Sequence, residues 1–395
     1  MQIYEYQVKK IFAKAGIPVL KGAVAYTPSE AYEVAKRLDC APYIVKAQVP
    51  TFLRGKGYFI EDEQKQKRKS GLRKAATAKA VQKETEAMLF HHLKTPLSGQ
   101  KAFEVKKVYI EEVKASVKRY RLAINVDFEA QKVFLTAQEV TPDNPPQKVI
   151  KTEVKLTKGK LSDSKALQVA VKLGLPRGLQ KKMIRILQAL FNVFVTYQAF
   201  EVNIDPLIMT ADKKFFVMSG KISFDPDAAA NNKEITAMLD LEEETPNERR
   251  ARLNNFRYTK LDGNIGCIIN GSGLGMATLD LFHLHGGKPA CLLDIGSVPT
   301  KEMMTSAFKA VLSEPNVEGV LINIFGGTTR CDLIAEGLVA AAREISVGMP
   351  IVVRIDGTNE QIATRILFES GLPFIVKKGM DEAVHVIIHA VQEIM

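Results

Sequence analysis

The chain has 395 residues, enough for two or three domains with cores of their own, and its 55 Lys/Arg against 44 Asp/Glu give a net charge of +11. No apolar run is long enough for a transmembrane helix. The opening stretch from Met1 to Lys10 has no apolar signal core, and the four cysteines (Cys40, Cys267, Cys291, Cys331) form neither a CxxC pair nor a metal-ligand spacing. These features argue against a membrane span, secretion or a disulfide scaffold. They lead us to expect a reducing compartment: the cytoplasm, or a mitochondrial-type organelle if a presequence was removed.

The charge is uneven. Residues 1–120 hold 24 Lys/Arg against 12 Asp/Glu, so the whole net charge lies there and the remainder is near neutral. Tyr4, Val8, Ile11, Phe12 and Ala15 share one helical stripe, which Gly16-Ile-Pro18 stops. Tyr43–Val49 reads as a strand whose period of two puts Ile44, Lys46 and Gln48 on one face, and Arg54-Gly-Lys-Gly57 is a loop after it. The densest basic run, Lys65-Gln-Lys-Arg-Lys69 with Arg73, Lys74, Lys79 and Lys83, is expected as a helix continuing to about Leu93. Such a run is a solvated face or a site for an acidic partner across segment 65–83; with no aromatic residues interleaved, it does not support a base-stacking RNA site. Val108–Glu112, Tyr120–Val126 and Lys132–Val140 read as strands, Pro142-Asp-Asn-Pro-Pro146 as a loop, and Leu167–Leu173 and Gln180–Tyr197 as helices. Phe200–Asp205 and Lys214–Met218 read as an antiparallel pair.

Residues 241–258 form a charged connector. Beyond it, apolar strands at Ile265–Ile269, Ala290–Asp294, Val317–Ile324, Ile351–Ile355 and Phe374–Val376 alternate with helical segments, the pattern of an open parallel sheet covered on both faces. Two glycine loops stand at strand ends in this half. In Asn323-Ile-Phe-Gly-Gly-Thr-Thr-Arg-Cys-Asp332, an apolar strand runs into two glycines, two threonines and a helix, whose N-terminal N–H groups suit a phosphate. Ile269-Asn-Gly-Ser-Gly-Leu-Gly275 has the same character. The plain alternative for each is a capped strand-to-helix turn. No acidic ribose partner follows either loop, so a dinucleotide site is not indicated.

The loops just quoted, with Leu261-Asp-Gly-Asn-Ile-Gly-Cys267 and Leu284-His-Gly-Gly287, resemble the CoA-ligase domain of succinyl-CoA synthetase (succinate–CoA ligase) β subunits. Val45-Lys-Ala-Gln-Val49 and Arg54-Gly-Lys56 resemble that family's ATP-grasp half, and the resemblance covers nearly every residue. It implies an α/β chain: an ATP-grasp domain over residues 1–240 with an inserted basic subdomain at about 20–105, the connector, and a doubly wound, flavodoxin-like CoA-ligase domain over 259–395. It also implies a β subunit that works with an α subunit, as a heterodimer or heterotetramer. ATP or GTP and Mg²⁺ bind in the ATP-grasp half, and CoA mainly on the partner. The phosphoryl group passes through a histidine of the α subunit, so no catalytic residue is expected in this chain, and its six histidines are expected to be structural or on the surface. Lys46, Leu53, Arg54, Gly55 and Glu111 fall at the family's nucleotide positions, Asp205 at a metal-ligand position, and Asn270, Gly327, Thr328 and Thr329 in the substrate and phosphate loops shared with the α subunit.

The sequence departs from that pattern in places. Phe52 and Leu53 stand in a loop that the family fills with glycines, and side chains there are expected to resist glycine backbone angles and take up phosphate space. Arg119 replaces a second nucleotide-contacting glutamate, and Ser219 replaces the second metal-ligating aspartate. Asn203 replaces a glutamate near the phosphorylation site, with Glu201 on the same strand face, and Gly296-Ser-Val-Pro-Thr300 replaces a glycine triplet. The alternative reading is therefore a degenerate β-like protein with a structural or regulatory role.

Overall fold

The computed structural model describes residues 3–51, 53–62, 69–99, 101–140, 149–156, 159–238, 245–296, 299–345 and 347–393. Phe52, Lys65–Arg68, the Pro142–Pro146 loop, residues 241–244 of the connector and Ser297-Val298 lie outside them. The chain divides into two compact units, Met1–Leu239 and Asp240–Met395. No helix among the described residues is long and apolar enough to cross a membrane.

The first unit is built on two antiparallel sheets. One has the order Gly22–Ala25, Val108–Glu112, Tyr43–Ala47, Leu72–Ala75. Helices Pro28–Leu38 and Ala78–Glu86 cover it, each started by a threonine, Thr27 or Thr77, whose hydroxyl accepts from the N3 amide. The other runs Ile150–Val154, Lys132–Glu139, Lys118–Asp127, Ala199–Met209, Phe215–Val217, with Gly220–Phe224 also paired to Ala199–Met209. Helices Asp163–Lys172 and Arg177–Thr196 bury Val169, Met183, Leu187 and Phe191 against its apolar face. The opening helix, Glu5–Lys14, joins that core through Val8, Ile11 and Phe12, the stripe legible in the sequence. It also buries Glu5 and Lys9, one turn apart.

The segment after the basic run is not one helix. Leu72–Ala75 is a strand, antiparallel to Tyr43–Lys46, and the helix extends only from Ala78 to Glu86. Strand pairing with a completed neighbour overrides the helical preference of a short Lys/Arg stretch. Arg73 leaves the basic surface altogether: it is buried over the ring of Phe59, with Nη1 3.0 Å from Glu84 Oε2.

The second unit holds a six-stranded sheet in the order Arg257–Lys260, Pro289–Asp294, Ile265–Ile269, Gly319–Gly326, Ile351–Gly357, Phe374–Lys377. The last five are parallel, and the first is an antiparallel edge strand that the sequence did not signal. Numbered along the chain, the five parallel strands stand in the order 2-1-3-4-5, the flavodoxin-like arrangement. Each strand is a near-continuous apolar run because both faces are covered. Helices Ser272–Leu284 and Met380–Gln392 pack Phe282, Ile387 and Ile388 on one face; Lys301–Leu312, Cys331–Glu344 and Glu360–Glu369 pack Phe308, Ile334 and Leu367 on the other.

Candidate functional site

The first unit has a cavity of about 470 Å³ between its two main sheets. Ile44, Lys46 and Leu72 line it from one sheet, Glu201, Asn203 and Asp205 from the other, and Leu53, Arg54, Gly55 and Lys56 from the turn after Tyr43–Ala47. Of the positions expected to bind nucleotide, Lys46, Leu53, Arg54 and Gly55 are therefore brought together. Glu111 is fully buried below them and is not part of the lining. Arg119 is exposed, away from the lining, and donates to Ser116 Oγ at 3.1 Å.

The floor of this cavity is a buried ionic cluster. Lys46 Nζ lies 2.7 Å from Glu5 Oε1 and 2.7 Å from Glu111 Oε2. Lys9 pairs with Glu111 and stands 3.4 Å from Glu5, and Arg54 pairs with Glu5. Both lysines donate to the Met218 carbonyl at 2.8 Å. The burial penalty alone would raise the Glu5 carboxyl, but Lys46, Arg54 and Lys9 outweigh it and hold Glu5 far below the usual carboxylate range. Burial, reinforced by the charge on Lys46, pulls Lys9 down to about 8. Burial opposes the charge on Lys46 too, yet its two carboxylates keep Lys46 above its ordinary value. The charge of Lys46 is thus already matched inside the protein.

The opposite wall repeats this self-neutralisation near the surface. A register shift between Ile204 and Leu207 leaves Asp205 opposite Arg121 on the neighbouring strand. Arg121 Nε and Nη2 both lie 2.7 Å from Asp205 Oδ2. Lys221 Nζ is 2.8 Å from Glu201 Oε2, so the carboxylate on the same strand face as Asn203 is also paired. The Asp205 amide donates to the Ser219 carbonyl at 3.1 Å, which sets the two expected metal positions side by side. Among the described residues, no group of three His, Cys, Asp or Glu side chains is arranged to hold a metal ion.

Leu53 corrects one expectation. It does take a left-handed backbone, φ 60° and ψ 30°, at the head of the short turn Arg54–Lys56. Branching at Cγ rather than Cβ lets leucine enter this region at a cost of about 1–2 kcal/mol. Leu53 still lines the cavity.

In the second unit, Asn270, Gly327, Thr328 and Thr329 come together at the carboxyl ends of Ile265–Ile269 and Gly319–Gly326, where the strand order reverses. Asn270 staples the two loops: Nδ2 donates to the Phe325 carbonyl at 2.9 Å and to Thr329 Oγ1 at 3.2 Å, and Oδ1 accepts from the Phe325 amide at 2.8 Å. Asp294 Oδ1 accepts from the Gly271 and Gly296 amides at 2.7 and 2.9 Å and fixes the other side. The two adjacent glycines differ. A Cβ on Gly326 would meet Cys331 Sγ and the Thr329 carbonyl at 2.6 Å, whereas one on Gly327 would meet nothing within 4 Å. Gly326 serves the turn itself; at Gly327 the surface is open. Arg330 pairs with Asp332 in the first turn of the following helix and holds its carboxyl down at about 2, so the helix start carries no uncompensated negative charge.

Sequence reasoning missed Glu5, Lys9, Arg121 and Lys221. Glu5 and Lys9 had a signal, an i,i+4 pair of opposite charge, but that spacing ordinarily marks a solvated helix face. Three histidines expected to be structural or on the surface also gather in space: His285 Nε2 lies 2.7 Å from Asp381 Oδ1, and the His385 and His389 rings follow at centroid distances of 5.5 and 4.3 Å.

The fold and its two sites define an ATP-grasp domain followed by a CoA-ligase domain. Residues 2–209 match the ATP-grasp domain family and residues 268–388 the CoA-ligase family. The chain belongs to the family of succinate–CoA ligase [ADP-forming] β subunits: it is 40% identical to that subunit of Paramagnetospirillum magneticum over 100% of both chains, and 37% identical to that of Staphylococcus aureus over the same full coverage. The ATP citrate lyases of Methanothrix soehngenii (TM-score 0.71, 15% identity, 99% of each chain) and Methanosaeta concilii (0.75, 16%, 98%) share the fold.

Proposed function

We propose that this chain is the β-type subunit of a succinate–CoA ligase, that it assembles with an α-type subunit, and that its nucleotide pocket is attenuated. In this reading a phosphoryl group passes from ATP or GTP to a histidine of the α subunit and then to succinate, which becomes succinyl-CoA; CoA is held mainly by the α subunit. The observation that carries the reading is the stapled pair of loops at the switch point. Asn270, Thr328 and Thr329 stand beside an open glycine, Gly327, where a phosphate-bearing segment of a partner has room to approach backbone N–H groups.

The family also implies Mg²⁺. The residues here do not fit it: Asp205 is held by Arg121, and position 219 is a neutral serine. Mg²⁺ is bound through very few protein carboxylates, so the loss of one and neutralisation of the other removes most of the site. No step is assigned to the metal. The same observation favours a second reading, a β-like subunit that keeps the assembly surface with a structural or regulatory role. The acidic partner expected for segment 65–83 then has only the exposed Lys69, Lys74, Lys79 and Lys83 among the described residues to meet it.

Co-expression with a tagged α-type subunit, followed by gel filtration, tests assembly. The unmodified chain is expected to co-elute, and Gly327→Val to lose the complex with the phosphorylated partner by tenfold or more, about 1.4 kcal/mol, with unfolding unchanged. No association at any concentration would overturn the proposal.

A further inference from the structure

We infer that the ATP-grasp cavity of this chain is a metal-independent anion site, in which Arg121 stands where a divalent cation would otherwise neutralise ligand and protein oxygens. The inference rests on the proposed nucleotide-pocket reading and goes beyond it by naming the ionic form of the ligand, a nucleoside di- or triphosphate free of metal.

Three observations carry it. The first is the place of Arg121: two of its nitrogens lie 2.7 Å from one oxygen of Asp205, a residue that lines the cavity, although Arg121 itself is not in the lining. A divalent ion approaching Asp205 has to displace a guanidinium already in bonding contact, at a position where Ser219 offers no second charge. The second is the charge of the wall. Four lining cations, Lys46, Arg54, Lys56 and Lys221, are set against three lining carboxylates, Glu5, Glu201 and Asp205, and Arg121, next to the lining, pairs with Asp205. The Lys9–Glu111 pair beneath adds no net charge. The cavity is therefore net positive without any metal, as a bare polyphosphate requires; a phosphate already neutralised by Mg²⁺ gains less from it. The third is Asn203, whose buried Oδ1 in the cavity wall has no hydrogen-bond partner. A buried acceptor left unmet marks a place for a ligand donor such as a hydroxyl or amine, and a lone neutral oxygen does not make a magnesium site.

The buried cluster adds a consequence. Because Lys46 is saturated by Glu5 and Glu111, the cations nearer solvent face a ligand first: Arg121, paired with Asp205, Lys221, paired with Glu201, and the exposed Lys56. Binding then exchanges Asp205 and Glu201 for ligand phosphates on the same cations, so it should be salt-sensitive as well as metal-independent.

Calorimetric titration of the full chain with ATP, once with EDTA and once with excess Mg²⁺, tests this. The expected result is binding with EDTA that is as tight as, or tighter than, binding with Mg²⁺. In Arg121→Leu, metal-free affinity should fall fivefold or more and Mg²⁺ should then improve it; Arg121→Lys, which keeps the charge, should retain metal-free binding. Arg121 is half-exposed, so replacing it leaves the fold intact, which an unchanged thermal midpoint verifies. A tenfold gain with Mg²⁺ in the unmodified chain would overturn the inference while leaving the nucleotide reading standing. Unchanged metal-free affinity in Arg121→Leu would also overturn it. No heat with either form of ATP would sink the nucleotide reading and the inference together.

Discussion

The cavity of the ATP-grasp unit, lined by the faces of two sheets, and the loop pair of the CoA-ligase unit, at the ends of two strands, hold their polar groups in opposite ways. In the first, carboxylates and cations are spent on one another: Glu5 and Glu111 on Lys9, Lys46 and Arg54, Asp205 on Arg121, Glu201 on Lys221. In the second, the side chains bond to backbone and hold two loops in place, while the surface at Gly327 stays open. Two sites of one chain can thus hold their polar groups in different ways, by pairing charges in one and by bonding to backbone in the other. A comparison that counts matched family residues would score Lys46 and Asn270 alike; their surroundings separate them.

The largest effect expected from breaking this contrast is at the buried cluster. Glu111→Gln leaves two buried lysines beside one carboxylate and should cost about 3–5 kcal/mol, read from the denaturant midpoint. A loss under 1 kcal/mol would mean that the cluster is not a structural unit. Next in size is the pair of glycines. Gly326→Ala must push against Cys331 and the Thr329 carbonyl and should cost about 1–3 kcal/mol, whereas Gly327→Ala should stay within about 0.5 kcal/mol. Equal costs would show that both glycines serve only the turn.

A smaller effect is expected in the pH dependence. Glu5 is depressed in the folded chain, chiefly by Lys46 and Arg54 against the opposing burial penalty. Its contribution to stability is therefore complete above about pH 4.5, the ordinary value, and is lost as pH falls through the folded value. The stability gap between the unmodified chain and Glu5→Gln should narrow below that pH; a gap that stays constant to pH 3 would contradict the ion-pair account. Smallest is the exposed basic face: replacing Lys74, Lys79 and Lys83 by Gln should leave the unfolding midpoint unmoved and shorten retention on a cation exchanger. Unchanged retention would show that these residues do not form the accessible charge.

The sequence carried the second unit further than the first. Ile265–Ile269 and Ile351–Ile355 are legible because a strand buried on both faces must be apolar throughout, whereas the edge strand Arg257–Lys260, half solvated and rich in charge, leaves no such mark. Strand order is not local information either, so the switch point had to be seen. In the first unit Lys46 and Asp205 were legible through family resemblance. Their partners were not: Lys9 and Glu111 are 102 residues apart, and Arg121 and Asp205 are 84 apart. No periodicity links them, and an arginine on a strand is ordinarily read as solvated surface. The two glycines of Phe325-Gly-Gly-Thr look equivalent in sequence, and only the space around each tells them apart.

The central claim is that assembly is retained while the nucleotide end is held back by the chain's own charges. Transfer of label from γ-labelled ATP to the α-type partner, measured on the isolated complex with Mg²⁺ present, tests it most directly. The account predicts a complex that survives gel filtration yet takes up label slowly, and a gain of about tenfold or more, roughly 1.4 kcal/mol in the barrier, when Arg121→Leu and Ser219→Asp are combined. Rapid labelling by the unmodified complex, with no gain from that pair of substitutions, would contradict it.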